Sequence, residues 1–228
     1  NLLLGVSGGK DSLALLDTLA GRRKYGQVKF DLNAVFVDVA EIPYKIDLIW
    51  LKEFCKNIDV PLKIVNVSVD FSKVEKEPAC FYCSWQRRKK IFEIAESKNI
   101  DKIALGHHRD DALETLFLNM ISHGIISSMP GKLPMFKNKL KLIRPLLYHN
   151  ADETAKYAKI KGFPLNNQAC PYDDKTRRIE LRNIINEMDE KFQGAKKNMF
   201  ESMLNIYPQY LPAKDIDSII KKDDKIPE

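Results

Sequence analysis

The sequence predicts an α/β fold: a doubly wound, mainly parallel five-stranded sheet with helices on both faces, followed by C-terminal helices. Three observations predict it. Short β-rich apolar runs alternate with amphipathic segments through the first half of the 228 residues, and each passage from run to helix is brief, as parallel strand and helix units require. After Phe163-Pro164 the pattern changes to helices alone.

The elements follow in order. A strand over Leu2 to Val6 runs into the Gly-rich segment Ser7 to Ser12 and a helix over Asp11 to Arg23. A second strand, Leu32 to Val39, is followed by a helix over Tyr44 to Ile58, in which Leu51, Phe54, Cys55 and Ile58 share a face at helical spacing. Cys55 therefore belongs to the core. The remaining strands are Leu62 to Val67, Lys102 to Gly106 and Leu140 to Pro145, alternating with helices over Ser84 to Lys98, Asp111 to His123 and Asp152 to Lys161. Helices over Asp174 to Glu190 and Ala195 to Tyr207 close the chain, with a polar tail from Lys221 to Glu228. Residues 1–165 are expected to form a nucleotide-binding domain, and residues 166–228 a helical extension packed on it.

Composition narrows the function classes. With 44% hydrophobic residues the chain can bury one good core. No run approaches the roughly 18 apolar residues of a membrane span, so no membrane partner and a cytoplasmic setting are expected. Lys and Arg number 37 against 31 Asp and Glu, an excess that favours polyanionic partners. Four cysteines in such a chain read as metal or redox chemistry, not as a disulfide scaffold.

Ligands of an open parallel sheet collect beyond the carboxyl ends of its strands, which is where Ser7-Gly8-Gly9-Lys10-Asp11-Ser12 falls. Gly8 and Gly9 let backbone approach an anion, Ser7, Lys10 and Ser12 supply donors, and the helix start supplies a positive dipole end. The spacing is not that of a P-loop. It resembles the pyrophosphate loop of the N-type ATP pyrophosphatases, which implies ATP cleaved between its α and β phosphates. Gly106-His107-His108-Arg109-Asp110-Asp111 ends the fourth strand and should share the same sheet edge, its paired carboxylates suited to hydrated Mg2+. Asp38 is a further candidate on that rim.

Cys80-Phe81-Tyr82-Cys83 has ligand spacing, and the spacing alone fits a zinc site, an iron–sulfur cluster or a dithiol pair. With Cys170 there are three thiols and no matching histidine spacing, which suits a four-iron cluster with one iron open.

The ordered set of the Ser7 to Ser12 loop, the Cys80/Cys83 pair followed by Arg87-Arg88, the Gly106 to Asp111 segment running into Thr115 to Met120, Ile143-Arg144-Pro145-Leu146, and Gly162-Phe163-Pro164 ahead of Cys170 resembles the tRNA 2-thiocytidine synthetases. The resemblance runs from Leu2 to about Tyr207. It implies an adenine nucleotide alpha hydrolase-like fold and an ATP-dependent sulfurtransferase. ATP would adenylylate O2 of an anticodon-loop cytidine, and sulfur would displace AMP. It further implies a [4Fe-4S] cluster on Cys80, Cys83 and Cys170, with sulfur arriving from a cysteine desulfurase persulfide or inorganic sulfide. Ser7 to Ser12, Asp38, Gly106, His107, Asp110 and Asp111 would bind ATP, Asp11 and Asp110 would hold Mg2+, and related enzymes allow a homodimer. For tRNA the expected contacts are Arg87, Arg88, Lys89, Arg144, Arg177, Arg178 and Arg182, with Phe81, Tyr82 and Trp85 either stacking on an extruded base or filling the core.

One departure stands out: Cys170 is followed by Pro171-Tyr172-Asp173, where the family carries a further cysteine. That leaves 2-thiouridine and 4-thiouridine open beside 2-thiocytidine. A lysidine synthetase shares the loop without needing three cysteines, and a zinc-stabilised nucleotide-binding module is the non-enzymatic alternative.

Overall fold

The structure, a computed structural model, describes residues 1–42, 46–69, 79–164 and 177–212, the side chains of residues 79–81 apart. Six strands and seven helices follow one another among these residues: β1 (Leu2–Val6), α1 (Lys10–Tyr25), β2 (Leu32–Val39), α2 (Leu48–Asn57), β3 (Leu62–Val67), α3 (Ala79–Ser97), β4 (Lys102–Ala104), α4 (Arg109–His123), β5 (Lys132–Met135), β6 (Leu140–Ile143), α5 (Ala151–Ile160), α6 (Arg177–Lys191) and α7 (Ala195–Ser202). The sheet order is β3-β2-β1-β4-β6-β5, with every pair parallel except β5–β6. Order reverses between β1 and β4, and crevices at such a switch point bind ligands.

The doubly wound α/β fold is as expected, but the sheet has six strands, not five. The extra strand, β5, contains Pro134, which weakens a strand pattern and is tolerated at a sheet edge. It joins β6 through Phe136, Lys137 and Asn138, all at positive φ, a turn geometry that the residue types do not advertise. α2 begins at Leu48, later than expected. Asp47 stops it there by accepting from the backbone N–H groups of Ile49 and Trp50.

Two apolar layers hold the sheet. On one face Leu2, Leu4 and Val6 pack with Leu13, Leu16, Leu51, Cys55 and Phe163, side chains of α1, α2 and the turn after α5. On the other, Leu3, Val35, Val37 and Ile103 meet Ile91, Ile94 and Ala95 of α3. Cys55 is 1% exposed and burial pushes its thiol up to about 11, in keeping with a core residue. A third cluster, Ala112, Leu113, Leu147, Ile185 and Phe200, seats α6 and α7 against α4. Arg182 pins that contact, its Nε 2.6 Å from Oε1 of the buried Glu114. Among the described residues no helix is long and apolar enough to cross a membrane.

Candidate active site

Parallel pairing of β1 with β4, register Leu4↔Ala104, brings the two Gly-rich segments out side by side. Gly106 lies against the loop so closely that a Cβ there would sit 3.0 Å from the Ser12 nitrogen. Within the loop the Ser12 hydroxyl accepts from the Ser7 N–H at 3.2 Å and donates to the Gly9 carbonyl at 2.9 Å. Gly8 has φ +82°, and a Cβ would come 2.4 Å from Cγ2 of Ile46. Gly9 is the N-cap of α1 and offers no side-chain cap, so first-turn N–H groups face outward where an anion would dock. A hollow lined by Gly8, Leu13, Ile46, Trp50, Leu51 and Pro164 adjoins the loop. Asp38 stands near the end of β2, two residues beyond the Val6↔Phe36 pair.

Beside the loop a polar network is drawn from four helices, α1, α4, α5 and α7. Asp11 Oδ1 accepts from Lys10 Nζ at 2.6 Å and from the Thr154 hydroxyl of α5 at 2.5 Å. His108 caps α4: its ring accepts from the Asp111 N–H, and Asp111 Oδ2 accepts from the His108 N–H at 2.8 Å. The same ring lies between two carboxylates, Nε2 3.8 Å from Asp11 and Nδ1 3.7 Å from Asp110. Asp110 Oδ2 accepts from the Ala151 N–H at 2.9 Å, and its Oδ1 is 3.3 Å from Lys196 Nζ of α7. Burial alone would raise the Asp110 pKa; the Ala151 hydrogen bond, Lys196 and His108 outweigh it and hold the carboxyl low.

Sequence reasoning missed Thr154 and the pairing of Lys196 with Asp110. Nothing near Thr154 in the chain marks it, since 143 positions separate it from Asp11. Lys196-Lys197 is visible as a basic pair, but its target is not. Asp111 spends its carboxylate on the cap, and Asp11 and Asp110 flank His108 without converging. Among the described residues no group of three or more His, Cys, Asp or Glu gathers as a metal site. Mg2+ binds commonly through one or two carboxylates together with substrate phosphates, and here Asp11 and Asp110 stand on opposite sides of the His108 ring.

The expected cluster ligands fall partly outside the described residues: the side chain of Cys80 and all of Cys170. Cys83 is 7% exposed and packs with Val39, Ile42 and Val69 beyond the ends of β2 and β3. Positions 80 and 83 are one turn apart in the first turns of α3, where the helix dipole favours thiolate. Tyr82 is partly buried in this cluster, while Trp85 is 43% exposed and stacked on Tyr82. Lys89 Nζ lies over the Trp85 ring at 5.4 Å. Arg177 reaches Ser122, and Arg182 is committed to Glu114. Burial lowers the His107 pKa to about 4, opposed by Asp111 and reinforced by Arg144, Arg178 and Arg88.

The sequence profile of the PP-loop domain family matches residues 1–188. The tRNA-cytidine(32) 2-sulfurtransferase of Janthinobacterium sp. strain Marseille is 36% identical over 221 residues, 94% of this chain and 69% of that protein. The chain belongs to this PP-loop family of 2-sulfurtransferases. The Aeromonas hydrophila protein of the same name is 35% identical over 215 residues, 92% of this chain and 70% of its own. Paraburkholderia relatives are covered over 63% of their length, so members of the family extend well beyond the span matched here. The U34-tRNA thiolase NcsA of Methanococcus maripaludis, solved with its [4Fe-4S] cluster, superposes with a TM-score of 0.74 at 24% identity, covering 93% of this chain and 74% of that one. A phosphoadenylyl-sulfate reductase from Candida auris follows at 0.51 and 12% identity, covering 77% and 83%. Both likenesses establish the PP-loop fold of this 2-sulfurtransferase family member.

Proposed function

We propose that the protein thiolates tRNA at the expense of ATP. In the first step the C2 oxygen of an anticodon-loop cytidine attacks the α-phosphorus of ATP, and the bond to the β-phosphate oxygen breaks to release pyrophosphate. In the second, sulfide attacks C2 and the C2–O bond breaks, releasing AMP with no net oxidation. The observation that carries the reading is the single sheet edge shared by the Ser7 to Ser12 loop, the Asp11–His108–Asp110 group and the α3 turn that bears Cys83.

The chain's own groups have distinct work in this scheme. The loop N–H groups and Ser7 hold phosphate oxygens, and Lys10 swings from Asp11 to the developing negative charge. Asp11 and Asp110 are the carboxylates that would hold Mg2+, which would supply neutralisation of phosphate charge, and His107, neutral at physiological pH, offers its ring to the adenylylated base or nucleotide without adding charge. Cys80, Cys83 and Cys170 would hold a [4Fe-4S] cluster, which supplies an iron position for the sulfide; the buried Cys83 at a helix start fits that load. The sulfide is inorganic sulfide, or the terminal sulfur of a desulfurase persulfide after a thiol reductant has supplied the two electrons that release it as sulfide. Cytidine is favoured by the names of the relatives; a uridine target is the second reading, motivated by the missing cysteine after Cys170.

The test is anaerobic incubation of iron-reconstituted protein with unmodified tRNA transcript, ATP, Mg2+ and sulfide, followed by nucleoside analysis. The expected product is one thiolated cytidine per tRNA with equal AMP and pyrophosphate. Pyrophosphate release that depends on tRNA but yields no thionucleoside would overturn thiolation and leave an adenylylating ligase.

A further inference from the structure

Lys196 belongs to a basic pair that the reaction scheme leaves unused, and the two lysines part in the fold. Lys197 turns to solvent, its side chain 65% exposed and its Nζ 3.7 Å from Glu201 one turn on. Lys196 turns inward, its side chain 21% exposed and its Nζ 3.3 Å from Asp110 Oδ1. The other oxygen of Asp110 accepts from the Ala151 N–H at 2.9 Å. The carboxylate is thus gripped on both oxygens, from the start of α5 and from α7, and its remaining lone pairs are free for a further partner.

Three features aim this lysine. Gly194, at φ +85°, turns the chain from α6 into α7. The Lys196 N–H donates to Asp189 Oδ1 of α6 at 2.9 Å, which anchors its backbone. Lys196, Met199, Phe200 and Met203 follow at i, i+3, i+4 and i+7, so the lysine heads the face of α7 that packs on Ala112 and Leu113, within three residues of Asp110.

Helix stability does not call for a lysine at this position. The first turn of α7 has no acidic residue, and the helix dipole disfavours a cation there. Docking does not call for it either, since the apolar face seats α7 and the Arg182–Glu114 pair holds α6. What the contact supplies is the orientation of Asp110. Across the His108 ring Asp11 is gripped in the same way, by Lys10 and Thr154.

We propose that Lys196 is a positioning residue for the reaction: it holds Asp110 across the His108 ring from Asp11 and so makes α7 part of the ATP site. The role in the reaction rests on the thiolation reading; the grip on Asp110 does not.

The experiment compares wild type with Lys196→Met, Lys196→Arg, Asp110→Asn and the double variant of Lys196→Met with Asp110→Asn, and uses Lys197→Met as control. Methionine keeps the apolar stem without the charge, and arginine keeps the charge. Two quantities are read: kcat and KM for ATP in tRNA-dependent AMP release, and hydrogen exchange of the Ala151 amide, which reports its bond to Asp110. In Lys196→Met we expect kcat to fall about tenfold with KM changed less than about twofold, and Ala151 exchange to rise about tenfold. Lys196→Arg should recover most of both, and Lys197→Met should match wild type. On the Asp110→Asn background the Lys196→Met change should lower kcat no further, because it acts through that carboxylate. A full further loss there, or a raised KM with kcat intact, would set Lys196 on the substrate itself and overturn the positioning role. A lower Tm with wild-type kcat and wild-type Ala151 exchange would reduce the pair to a tie between helices, which also overturns it. If wild type releases no AMP with any tRNA, the thiolation reading fails, and Ala151 exchange by itself decides whether Lys196 holds Asp110.

Discussion

Asp11 is held by two donors at once, Lys10 at 2.6 Å and Thr154 at 2.5 Å, so its carboxylate is aimed before any ligand arrives. Asp11→Asn keeps the shape and removes the charge. We expect AMP formation to fall about 100-fold, the scale of losing one preorganised electrostatic contact, with little change in Tm. Thr154→Val removes one donor; a loss of about 1 kcal/mol of stability is expected, together with a drop in kcat for pyrophosphate release, since Lys10 then keeps Asp11 to itself. His107 gives a pH signature. Its native pKa is depressed to about 4 from 6.5, chiefly by burial, so between those values the unfolded chain carries a proton that the native one refuses. Stability should therefore fall as pH drops from about 6.5 to about 4, with a slope of at most ~1.4 kcal/mol per pH unit from this group. Urea unfolding at a series of pH values checks this, and His107→Gln should flatten that part of the profile. An unaltered profile in the variant would mean that another group carries the acid sensitivity.

At the scale of elements, α4 has two attachments: its start is fixed by the reciprocal His108 and Asp111 cap, and its middle by the Glu114–Arg182 pair to α6. Glu114 is 2% exposed while the Arg182 side chain is 52% exposed, so removal of the arginine strands a buried carboxylate that water reaches only from one side. Arg182→Ala is expected to lower stability by about 2 kcal/mol and to raise amide exchange in α6 and α7 first. A variant whose exchange rises equally everywhere would show that α6 is not held by this pair. Gly8 is a second elemental point: its positive φ and the 2.4 Å approach of Ile46 make Gly8→Ala a test of loop shape, expected to weaken ATP binding while the sheet persists. The strands and helices with clean periodicity were legible in the sequence to within a few residues. The β5 strand was not, because Pro134 and a turn of three left-handed residues, Phe136 to Asn138, break the alternation that announces a hairpin.

For the whole molecule the dominant expectation is electrostatic. With a net charge of +6 and separate basic groups on α3, after β6 and on α6, affinity for an anticodon stem-loop should fall steeply with salt, by roughly tenfold for each phosphate contact over a tenfold rise in salt. Anisotropy titrations between low and physiological salt measure it, and salt-independent binding would remove the case for an RNA surface on this edge.

The sequence by itself determined five of the six strands, the Ser7 to Ser12 loop and the Gly106 to Asp111 segment, because each is a property of neighbours in the chain: period, spacing and a strand that runs into glycine. It also marked Arg88, Arg144 and Arg178 one by one as basic residues. Only the tertiary structure decided that Arg182 is taken by Glu114 and that Thr154 and Lys196 stand on Asp11 and Asp110. Those pairings join residues far apart in the chain, and they exist because strand order sets β4 between β1 and β6, carrying side chains from α3, α5, α6 and α7 to one edge that no local pattern describes.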